Sequence, residues 1–582
     1  MNSHQHRLDN PCGRALALGL CALVAPAIGV AQLEISGLDD TLAANVRALS
    51  PLSSAACDTP QWRIERLVRR ADDNVRQSLR ALGYYKPVIE KSLRFDDDCW
   101  HAEFVIDAGA PVRLSAVNVS IDGPAAKDPE FLARVTGNAP QTGDVLHHGR
   151  YEDFKASLMR AATYTGYFDA EFERASVVVN PDLLTADMEL ALASGARYRV
   201  SEVTFTDDIL RESLLLSYTD IRPGEPFSGK LVNDLHQALA GSSYFRSVSI
   251  ATEPLDENAK TVPVQVDLTP AKRRLFSAGG GFTTDMGPHL RLGYTNRRRN
   301  DRGHQFESRL YLSAVDSELN TAYRWPRKDP RSDWFSVVGS AQHKKTDTSE
   351  FDKVTLGVLR SERLGRSWLE TRYVNYEWED YRVGDQADTS RLLIIGSNWE
   401  KAVGRALGRP TDGYRLNFDV RGASDALGSD TSFLQLRTRL RWIRSFGDKT
   451  RLLARANVGL TAKDDRAELP ASVRFFSGGD RSVRGYEFQS LGPTDADGDV
   501  LGGSHQVDLS LELDRLVRDN WAVAAFIDSG TAFEETDFDF STGVGIGVRW
   551  YSPLGPIRLD FAHPLDDPDK SLRVHISLGP DL

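Results

Sequence analysis

The feature that most restricts the fold of this chain is a recurring alternation of apolar and polar residues, which begins near Leu275 and continues toward the C-terminus. From Phe433 to Ile443, alternate positions are apolar apart from one threonine, and the positions between them carry glutamine and arginine. Successive side chains of a β-strand point to opposite faces of its sheet. The pattern therefore predicts strands with one face suited to lipid and the other to water. Similar alternation recurs at 507–514, 544–550 and 572–578.

A transmembrane β-barrel is the fold class that this alternation favours. A soluble sandwich also alternates, but it packs its apolar faces around a core and seldom sets a row of arginines on the other face. Here Arg437, Arg439 and Arg441 form such a row, which indicates a hydrated lumen. About 310 residues are available for the barrel, and at roughly 20 residues per strand and turn they predict about 16 antiparallel strands.

The first 31 residues have the form of a cleaved secretory signal. Arg7 and Arg14 precede an apolar run from Ala15 to Val30, which ends in small residues before Gln32. A membrane anchor is the alternative, but the run is slightly short for a span. No later segment has the composition of a transmembrane helix.

Two cysteines, Cys57 and Cys99, remain once the signal is removed. Export places them in an oxidising compartment, so a disulfide is expected, with two free thiols as the alternative. The bond would close a loop of about 43 residues, for which the chain-entropy model gives roughly 4 kcal/mol of stabilisation.

Residues 32–270 contain a weak internal repeat of about 80 residues. Each copy has a helical apolar stripe, an aromatic turn and then two strands. The turns are Gly83-Tyr84-Tyr85, Gly166-Tyr167-Phe168 and Ser243-Tyr244-Phe245, the last of which has lost its glycine. The junctions between successive copies also align, 109–117 with 195–203. The turns that lead into the long helices align as well, 143–146 with 224–227. Any α+β domain has amphipathic helices and strands, but three aligned turns favour a true repeat.

These three copies resemble POTRA domains, the periplasmic β-α-α-β-β modules that precede outer-membrane barrels. The resemblance implies three α+β POTRA domains at 32–108, 109–194 and 195–270, followed by a transmembrane antiparallel β-barrel at 271–582. It also implies location in the outer membrane of a Gram-negative bacterium, with the POTRA domains in the periplasm.

A glycine-bracketed loop from Ser477 to Tyr486 interrupts the alternation about four strands before the C-terminus. In the POTRA-plus-barrel outer-membrane assembly superfamily, a similar loop folds into the lumen and carries Val-Arg-Gly followed by an aromatic residue at its tip. The resemblance implies a lumen loop around 477–500. Its tip motif would be formed by Val483, Arg484, Gly485 and Tyr486.

The family pairs this arginine with a Phe-x-Asp-x-Gly strand motif, which is similar to Phe526-Ile527-Asp528-Ser529-Gly530. The alternation points Asp528 and Phe526 inward, and Glu512 lies on the polar face of the preceding strand. We expect both carboxylates to reach Arg484. Breaking such a pair costs about 3–5 kcal/mol when it is dry, and we expect less in a wet lumen.

The first and last barrel strands are expected to close weakly. Gly279, Gly280 and Gly281 lie in the first strand and offer no side chains to pack, and proline after the last strand cannot donate to a ladder. A weak seam could offer its edge to an incoming strand; an ordinary barrel terminus is the rival interpretation. The last seam strand is expected to contain Leu572, Val574, Ile576, Leu578 and Gly579.

A chain with three such repeats followed by about 16 strands resembles the translocation and assembly module family within this superfamily. Other branches have five repeats, or two repeats after a plug helix, for which the strand starting at Gln32 leaves no room. The resemblance implies insertion or translocation of autotransporters and other outer-membrane proteins, together with a periplasm-spanning partner anchored in the inner membrane. The resemblance also implies a role for this pair in transporting outer-membrane lipid.

Other classes of protein fit the sequence less well. The net charge of -11 argues against nucleic acid as a partner. No hydrolase or zinc-protease motif is present, so neither enzyme activity, cofactor nor metal is expected, and His575 is interpreted as a solvated lumen residue. A solute pore selective for anions would use the lumen arginines, but it would leave the repeats and Arg484 without a role.

Overall fold

The computed structural model describes residues 32–578, apart from residues 97–98, 136, 138, 207–208, 254–257, 366, 405–408, 465–467, 535–538, 553–554 and 568–571. The expected signal, residues 1–31, lies outside the described residues. The described chain forms three small three-stranded sheets and a closed barrel. It divides into two compact units, the first containing residues up to Tyr198 with Pro226–Gly229 and the second containing the rest.

The first domain has the element order β-α-α-β-β. Its elements are β1 (Gln32–Ser36), α1 (Asp40–Leu49), α2 (Gln61–Ala81), β2 (Val88–Phe95) and β3 (Trp100–Asp107). The central strand β3 pairs parallel to β1 and antiparallel to β2. The Asp39 side chain caps α1 by accepting a hydrogen bond from the Leu42 amide at 2.8 Å. The apolar stripe of α2 shares one buried core with Phe104 and Ile106 of β3.

The same order occurs twice more along the chain. The second domain has β4 (Arg113–Asp122), α3 (Pro129–Val135), α4 (His148–Thr165), β5 (Glu171–Asn180) and β6 (Thr185–Ala193). The third has β7 (Arg199–Phe205), α5 (Glu212–Leu216), α6 (Gly229–Ala240), β8 (Phe245–Ala251) and β9 (Thr261–Pro270). In each sheet the last strand again lies in the middle.

The aromatic turn after each long helix uses a left-handed residue. Gly83 and Gly166 have φ of +97° and +91°, and Ser243 takes φ of +66° at the matching position. A residue with a β-carbon adopts this region at a cost of roughly 1–2 kcal/mol. The third repeat therefore keeps the turn although it has lost the glycine.

The tyrosine of the second turn connects to the joint that follows it. Tyr167 donates a hydrogen bond to Asp128 Oδ2 at 3.0 Å, and Arg197 Nη1 donates to the same oxygen at 2.8 Å. Burial, together with the hydrogen bond to Asp128, raises the pKa of Tyr167 to about 12. The phenol therefore stays a hydrogen-bond donor across the physiological pH range.

Cys57 and Cys99 form a disulfide in the first domain, with their Cα atoms 4.4 Å apart. The bond joins the segment before α2 to the residue that precedes β3. It therefore crosslinks the helical layer of the domain to the start of its central strand.

Replacing both cysteines with alanine is expected to destabilise the first domain by roughly 4 kcal/mol, because the unfolded segment regains its loop entropy. Pulse proteolysis of the intact chain in denaturant measures this loss, while the barrel remains folded. Ser53→Ala, an exposed change in the same domain, is the control. An unchanged denaturant midpoint for cleavage within residues 32–107 would contradict the expectation.

Sixteen antiparallel strands close the barrel within the described residues. They are β10 (Arg274–Thr283), β11 (Gly287–Asn296), β12 (Gln305–Ser313), β13 (Asp316–Pro326), β14 (Asp333–Lys345), β15 (Ser349–Leu364), β16 (Trp368–Val383), β17 (Gln386–Val403), β18 (Gly413–Ala423), β19 (Phe433–Phe446), β20 (Thr450–Lys463), β21 (His505–Arg518), β22 (Trp521–Phe533), β23 (Ser541–Ser552), β24 (Gly555–Pro564) and β25 (Arg573–Leu578).

Burial follows the alternation read from the sequence. On β19, Leu434 is 58% exposed on the outer face, whereas its neighbour Gln435 is fully buried on the lumen side. On β22, Val523 faces outward and Asp528 inward. Among the described residues, no helix combines the length and apolar character that a membrane span requires. The predicted fold class, α+β domains followed by a 16-stranded antiparallel barrel, is confirmed.

The third domain contacts two turns of the barrel. Arg211 Nη2 donates to Asp301 Oδ2 at 2.7 Å, in the turn between β11 and β12. In the same turn, the buried Tyr244 hydroxyl donates to the carbonyl oxygen of Gly303. Arg331, before β14, binds Asp220 at 3.0 Å. These contacts hold the third domain against the barrel.

Tyr244→Phe is expected to loosen this contact, because the buried carbonyl of Gly303 loses its partner at a cost of roughly 1–3 kcal/mol. Hydrogen–deuterium exchange of the intact protein is expected to rise in residues 299–305, and less so elsewhere. Tyr294→Phe, on the outer face of β11, is the control. Equal exchange in both variants would show that the hydroxyl does not support the contact.

Candidate functional site in the barrel lumen

The segment between β20 and β21, residues 464–504, carries the Val-Arg-Gly-Tyr tetrad into the barrel. Val483, Arg484 and Tyr486 are at most 4% exposed, and Gly485 is buried. Five strands follow this loop, so the expectation of about four strands was wrong by one.

Arg484 is held by carboxylates from three strands. Its Nε donates to Asp528 Oδ2 at 2.6 Å and its Nη2 to Asp528 Oδ1 at 3.0 Å, a bidentate pair on β22. Its Nη1 donates to Glu512 on β21 at 2.8 Å and to Asp560 on β24 at 3.1 Å. The guanidinium also lies 3.4 Å from the ring centroid of Phe526. The structure thus brings together the residues that the sequence assigned to this pairing.

A second arginine, Arg549 on β23, completes the cluster. Its Nε donates to Glu512 Oε1 at 3.1 Å, and its Nη1 donates to Asp560 Oδ1. Arg484 and Arg549 therefore both bind Glu512 and Asp560, and Arg484 also binds Asp528. Sequence reasoning missed Arg549 and Asp560 as members. Both stand on the inward face of their strands, but so do many polar residues, and the alternation does not single them out.

The cluster is largely buried, whereas the sequence led us to expect a pairing open to a wet lumen. Asp528 is fully buried, Arg549 is 1% exposed and Arg484 3% exposed. The physical reason is the loop itself, which covers the lumen wall at this point and excludes water. The full cost of leaving a buried charge without its partner, about 3–5 kcal/mol, is therefore expected here.

Glycines make room for this docking. A β-carbon on Gly543 of β23 would lie 1.9 Å from the Arg484 carbonyl oxygen. A β-carbon on Gly530, the last residue of the strand motif, would lie 2.5 Å from Asp508 Oδ1. That carboxylate accepts a hydrogen bond from Ser477 of the loop at 2.6 Å. Gly530 thus takes part indirectly, by leaving space for a second loop anchor.

His575 on β25 is part of the site, and its interpretation as a solvated residue was wrong. It is 3% exposed. Its Nδ1 contacts Asp480 Oδ1 of the loop, and its Nε2 accepts a hydrogen bond from the Gly485 amide at 3.0 Å. The loop covers the inner face of β25 and removes this side chain from water, which strand alternation alone does not reveal.

The first and last strands share only one ladder position in the described residues, Thr283 with Ser577. Every other neighbouring pair of barrel strands shares at least six. Thr284 adds a backbone hydrogen bond to the Ile576 carbonyl oxygen at 3.1 Å. Leu572 precedes β25 and is not in the strand, contrary to expectation, and Gly579 lies outside the described residues.

The three seam glycines have different surroundings. A β-carbon on Gly281 would lie 2.5 Å from His289 Nε2, whereas one on Gly279 would meet nothing within 4 Å. Val574 and Ile576 face outward on β25, opposite to His575. The outer edge of β10 from 274 to 280 is exposed along its whole length.

The fold and the site define a class, an outer-membrane barrel that carries periplasmic POTRA domains and a loop docked in its lumen. Residues 289–581 match the sequence model of the Omp85 superfamily domain. Residues 32–108 match the model described as POTRA domain TamA domain 1, and residues 198–271 match the surface antigen variable number repeat, a POTRA model. The chain belongs to the Omp85 superfamily, and it lies in the Gram-negative outer membrane with its POTRA domains in the periplasm.

Known relatives agree with this assignment. The chain is 21% identical over 376 residues to the outer membrane protein assembly factor BamA of Nitratidesulfovibrio vulgaris, covering 61% of this chain and 47% of that protein. It is 21% identical over 478 residues to BamA of Neisseria meningitidis serogroup B, covering 69% and 58%. The chain thus spans about half the length of these curated relatives.

A solved structure shares the fold. The crystal structure of BamA from Haemophilus ducreyi lacking POTRA domains 1–3 superposes with a TM-score of 0.68 at 16% identity. The match covers 80% of this chain and 99% of that one. At this identity the likeness supports the architecture of POTRA domains and barrel.

Proposed function

We propose that this chain is the outer-membrane component of a translocation and assembly module, a TamA-like protein. It assists the insertion or translocation of autotransporters and other outer-membrane proteins, and it acts as an assembly factor without catalytic chemistry. Support comes from the match of residues 32–108 to the first TamA POTRA domain and from three POTRA-like domains ahead of one barrel.

The observation that carries this proposal is the sparse pairing between β10 and β25 within the residues that the structure describes. A strand edge with free N–H and C=O groups is a template for another strand. Residues 274–282 present such an edge within the described part of the chain. In our proposal, a substrate strand adds to β10 while the loop, pinned by Arg484, keeps the lumen wall in place.

A periplasm-spanning, TamB-like protein anchored in the inner membrane is the proposed partner of the POTRA domains. Their sheets have free outer strands, such as β5, where Val178 is 67% exposed. Outer-membrane lipid is the alternative cargo for such a pair. Two-partner secretion and a solute pore are the remaining alternatives, and neither gives a role to both the three domains and the pinned loop.

In-cell photo-crosslinking tests the partner directly. A photoreactive residue at Val178 is expected to capture a large periplasm-spanning protein, identified by mass spectrometry. The control position is Leu427, which is 56% exposed in the turn between β18 and β19, on the cell-surface side. Capture of one secreted β-rich protein would instead favour two-partner secretion, and the absence of any protein adduct would favour the pore.

A further inference from the structure

One residue of the lumen loop, Asp480, reaches both sides of the seam. Its carboxylate contacts His575 Nδ1 on β25. Its backbone amide donates to Asp285 Oδ2 at 2.7 Å, in the turn between β10 and β11. The Asp285 amide returns a longer hydrogen bond, 3.4 Å, to Asp480 Oδ2. The Asp480 and His575 side chains are 6% and 3% exposed, so this junction is shielded from water.

The junction matters because, in the described residues, the strands beside it are barely paired. Thr283 and Ser577 form the one ladder position that involves described residues, and Thr284 contacts Ile576 through backbone and hydroxyl groups. Among the described residues, Asp480 therefore makes as many hydrogen bonds to His575 and Asp285 as Thr284 makes directly to Ile576 across the seam. Its contacts are also better shielded than those of Thr284, which is exposed.

We propose that Asp480 is the positioning residue that couples the lumen loop to closure of the seam, by holding the β10–β11 turn and β25 together. This inference rests on the proposed function, in which the seam opens. Arg484 fixes the loop to β21, β22 and β24 through its ion pairs with Glu512, Asp528 and Asp560. Asp480, four residues earlier, joins the anchored loop to the two elements that must separate.

The neighbours of His575 define which ring nitrogen accepts a hydrogen bond. The Gly485 amide donates to Nε2, so this nitrogen carries the lone pair and the proton lies on Nδ1, pointing at Asp480. Asp285, Asp480 and His575 also lie close enough together to ligate a metal ion. A metal-bound histidine donates its second N–H to an acceptor, whereas here the second nitrogen faces a donor. The geometry fits a hydrogen-bonded junction better than a metal site.

The test is a distance measurement across the seam in the full-length protein in lipid nanodiscs. Spin labels are placed on cysteines introduced at Phe282 of β10 and Val574 of β25, which are 45% and 41% exposed on the outer face and lie near the paired Thr283 and Ser577. Electron–electron double resonance is expected to give one short distance in the labelled parent. Asp480→Ala is expected to increase the long-distance fraction by roughly tenfold, as for the loss of a charge-assisted hydrogen bond.

Two further variants separate positioning from general damage. Both Asp480→Ala and Asp480→Asn keep the backbone amide that donates to Asp285, but only Asp480→Asn keeps an acceptor oxygen for His575 Nδ1, so it is expected to restore the short distance. Glu487→Ala removes a more exposed ion pair from the same loop to Arg573 of β25, 2.8 Å in length, that does not reach the β10–β11 turn. It is expected to leave the distance unchanged.

An Asp480→Ala distribution identical to the parent would overturn the proposal. If Asp480→Ala does not fold, Asp285→Ala is used in its place, because it removes the carboxylate that accepts the hydrogen bond from the Asp480 amide. An unchanged distance between the labels in Asp285→Ala would count equally against the proposal. If added Zn²⁺ shortens the distance between the spin labels in the parent but not in Asp480→Ala, the junction is a metal site and the hydrogen-bonded junction is overturned. A widened seam together with normal outer-membrane protein assembly would uphold the role of Asp480 and contradict the proposed function instead.

Discussion

Arg484→Ala is expected to abolish assembly activity while the barrel still forms. The substitution leaves Asp528, Glu512 and Asp560 with one fewer cation in a site that is nearly inaccessible to water. Removing one member of a buried ion pair costs about 3–5 kcal/mol, which is enough to release the loop from the lumen wall. Activity is measured as the rate at which a model autotransporter acquires its folded, protease-resistant form.

The pairing itself is tested by a double-mutant cycle. Asp528→Ala is expected to impair assembly to a similar extent, and the double variant is expected to be no worse than either single variant, because each removes the same interaction. Strictly additive losses would contradict the pairing. Arg484→Lys is expected to be only partly active, since an ammonium group cannot reproduce the bidentate contact to Asp528.

A surface pair provides the matched control for this series. Arg444 and Asp412 are 3.6 Å apart, and their side chains are 62% and 53% exposed. Exposed ion pairs contribute little, typically up to about 1 kcal/mol. Arg444→Ala is therefore expected to retain activity. If Arg444→Ala lowers the assembly rate as much as Arg484→Ala does, the loss of one positive charge, rather than release of the docked loop, would explain both effects.

Locking the seam covalently is expected to have the second largest effect. Thr283 and Ser577 face each other at a ladder position of β10 and β25, and opposite Cα atoms in an antiparallel pair lie roughly 4.5–5.5 Å apart. Cysteines introduced at both positions fall within the range in which a disulfide forms. Oxidation is expected to reduce assembly at least roughly tenfold, because no strand can add to a joined edge, and reduction is expected to restore it.

The control for the lock is a disulfide elsewhere in the wall. Ser361 and Thr371 pair on β15 and β16, with their hydroxyl oxygens 3.0 Å apart. Cysteines at these two positions are expected to leave activity unchanged in both redox states, and they also report any effect of reductant on Cys57–Cys99. Normal assembly by the oxidised Thr283→Cys, Ser577→Cys protein would show that the seam stays closed during function.

Much of the architecture was predictable because it depends on local patterns. Period-two alternation specified the faces of strands such as β19, and the aromatic turns marked the end of each long helix, including the one where Ser243 replaces glycine. The pairing of Arg484 with Asp528 and Glu512 followed from family resemblance and strand parity together. These features require no knowledge of how distant segments meet.

The remainder of the site depends on distant segments. Asp560, Arg549 and His575 became site residues because a loop folds inward and covers them, and nothing in their local sequence distinguishes them from other lumen-facing groups. The dryness of the cluster has the same origin. The register between the first and last strands is likewise set by closure of the whole barrel, so the alternation could suggest a weak seam without showing that Thr283 pairs with Ser577.

The central claim, that substrate strands enter at the seam, is tested most directly by crosslinking from β10 during assembly in cells. A photoreactive residue at Phe276 is expected to capture outer-membrane proteins, and the same residue at Leu356 of β15, 62% exposed on the outer face, is expected to capture none. Equal capture at both positions, or none at Phe276 while assembly proceeds, would contradict entry at the seam.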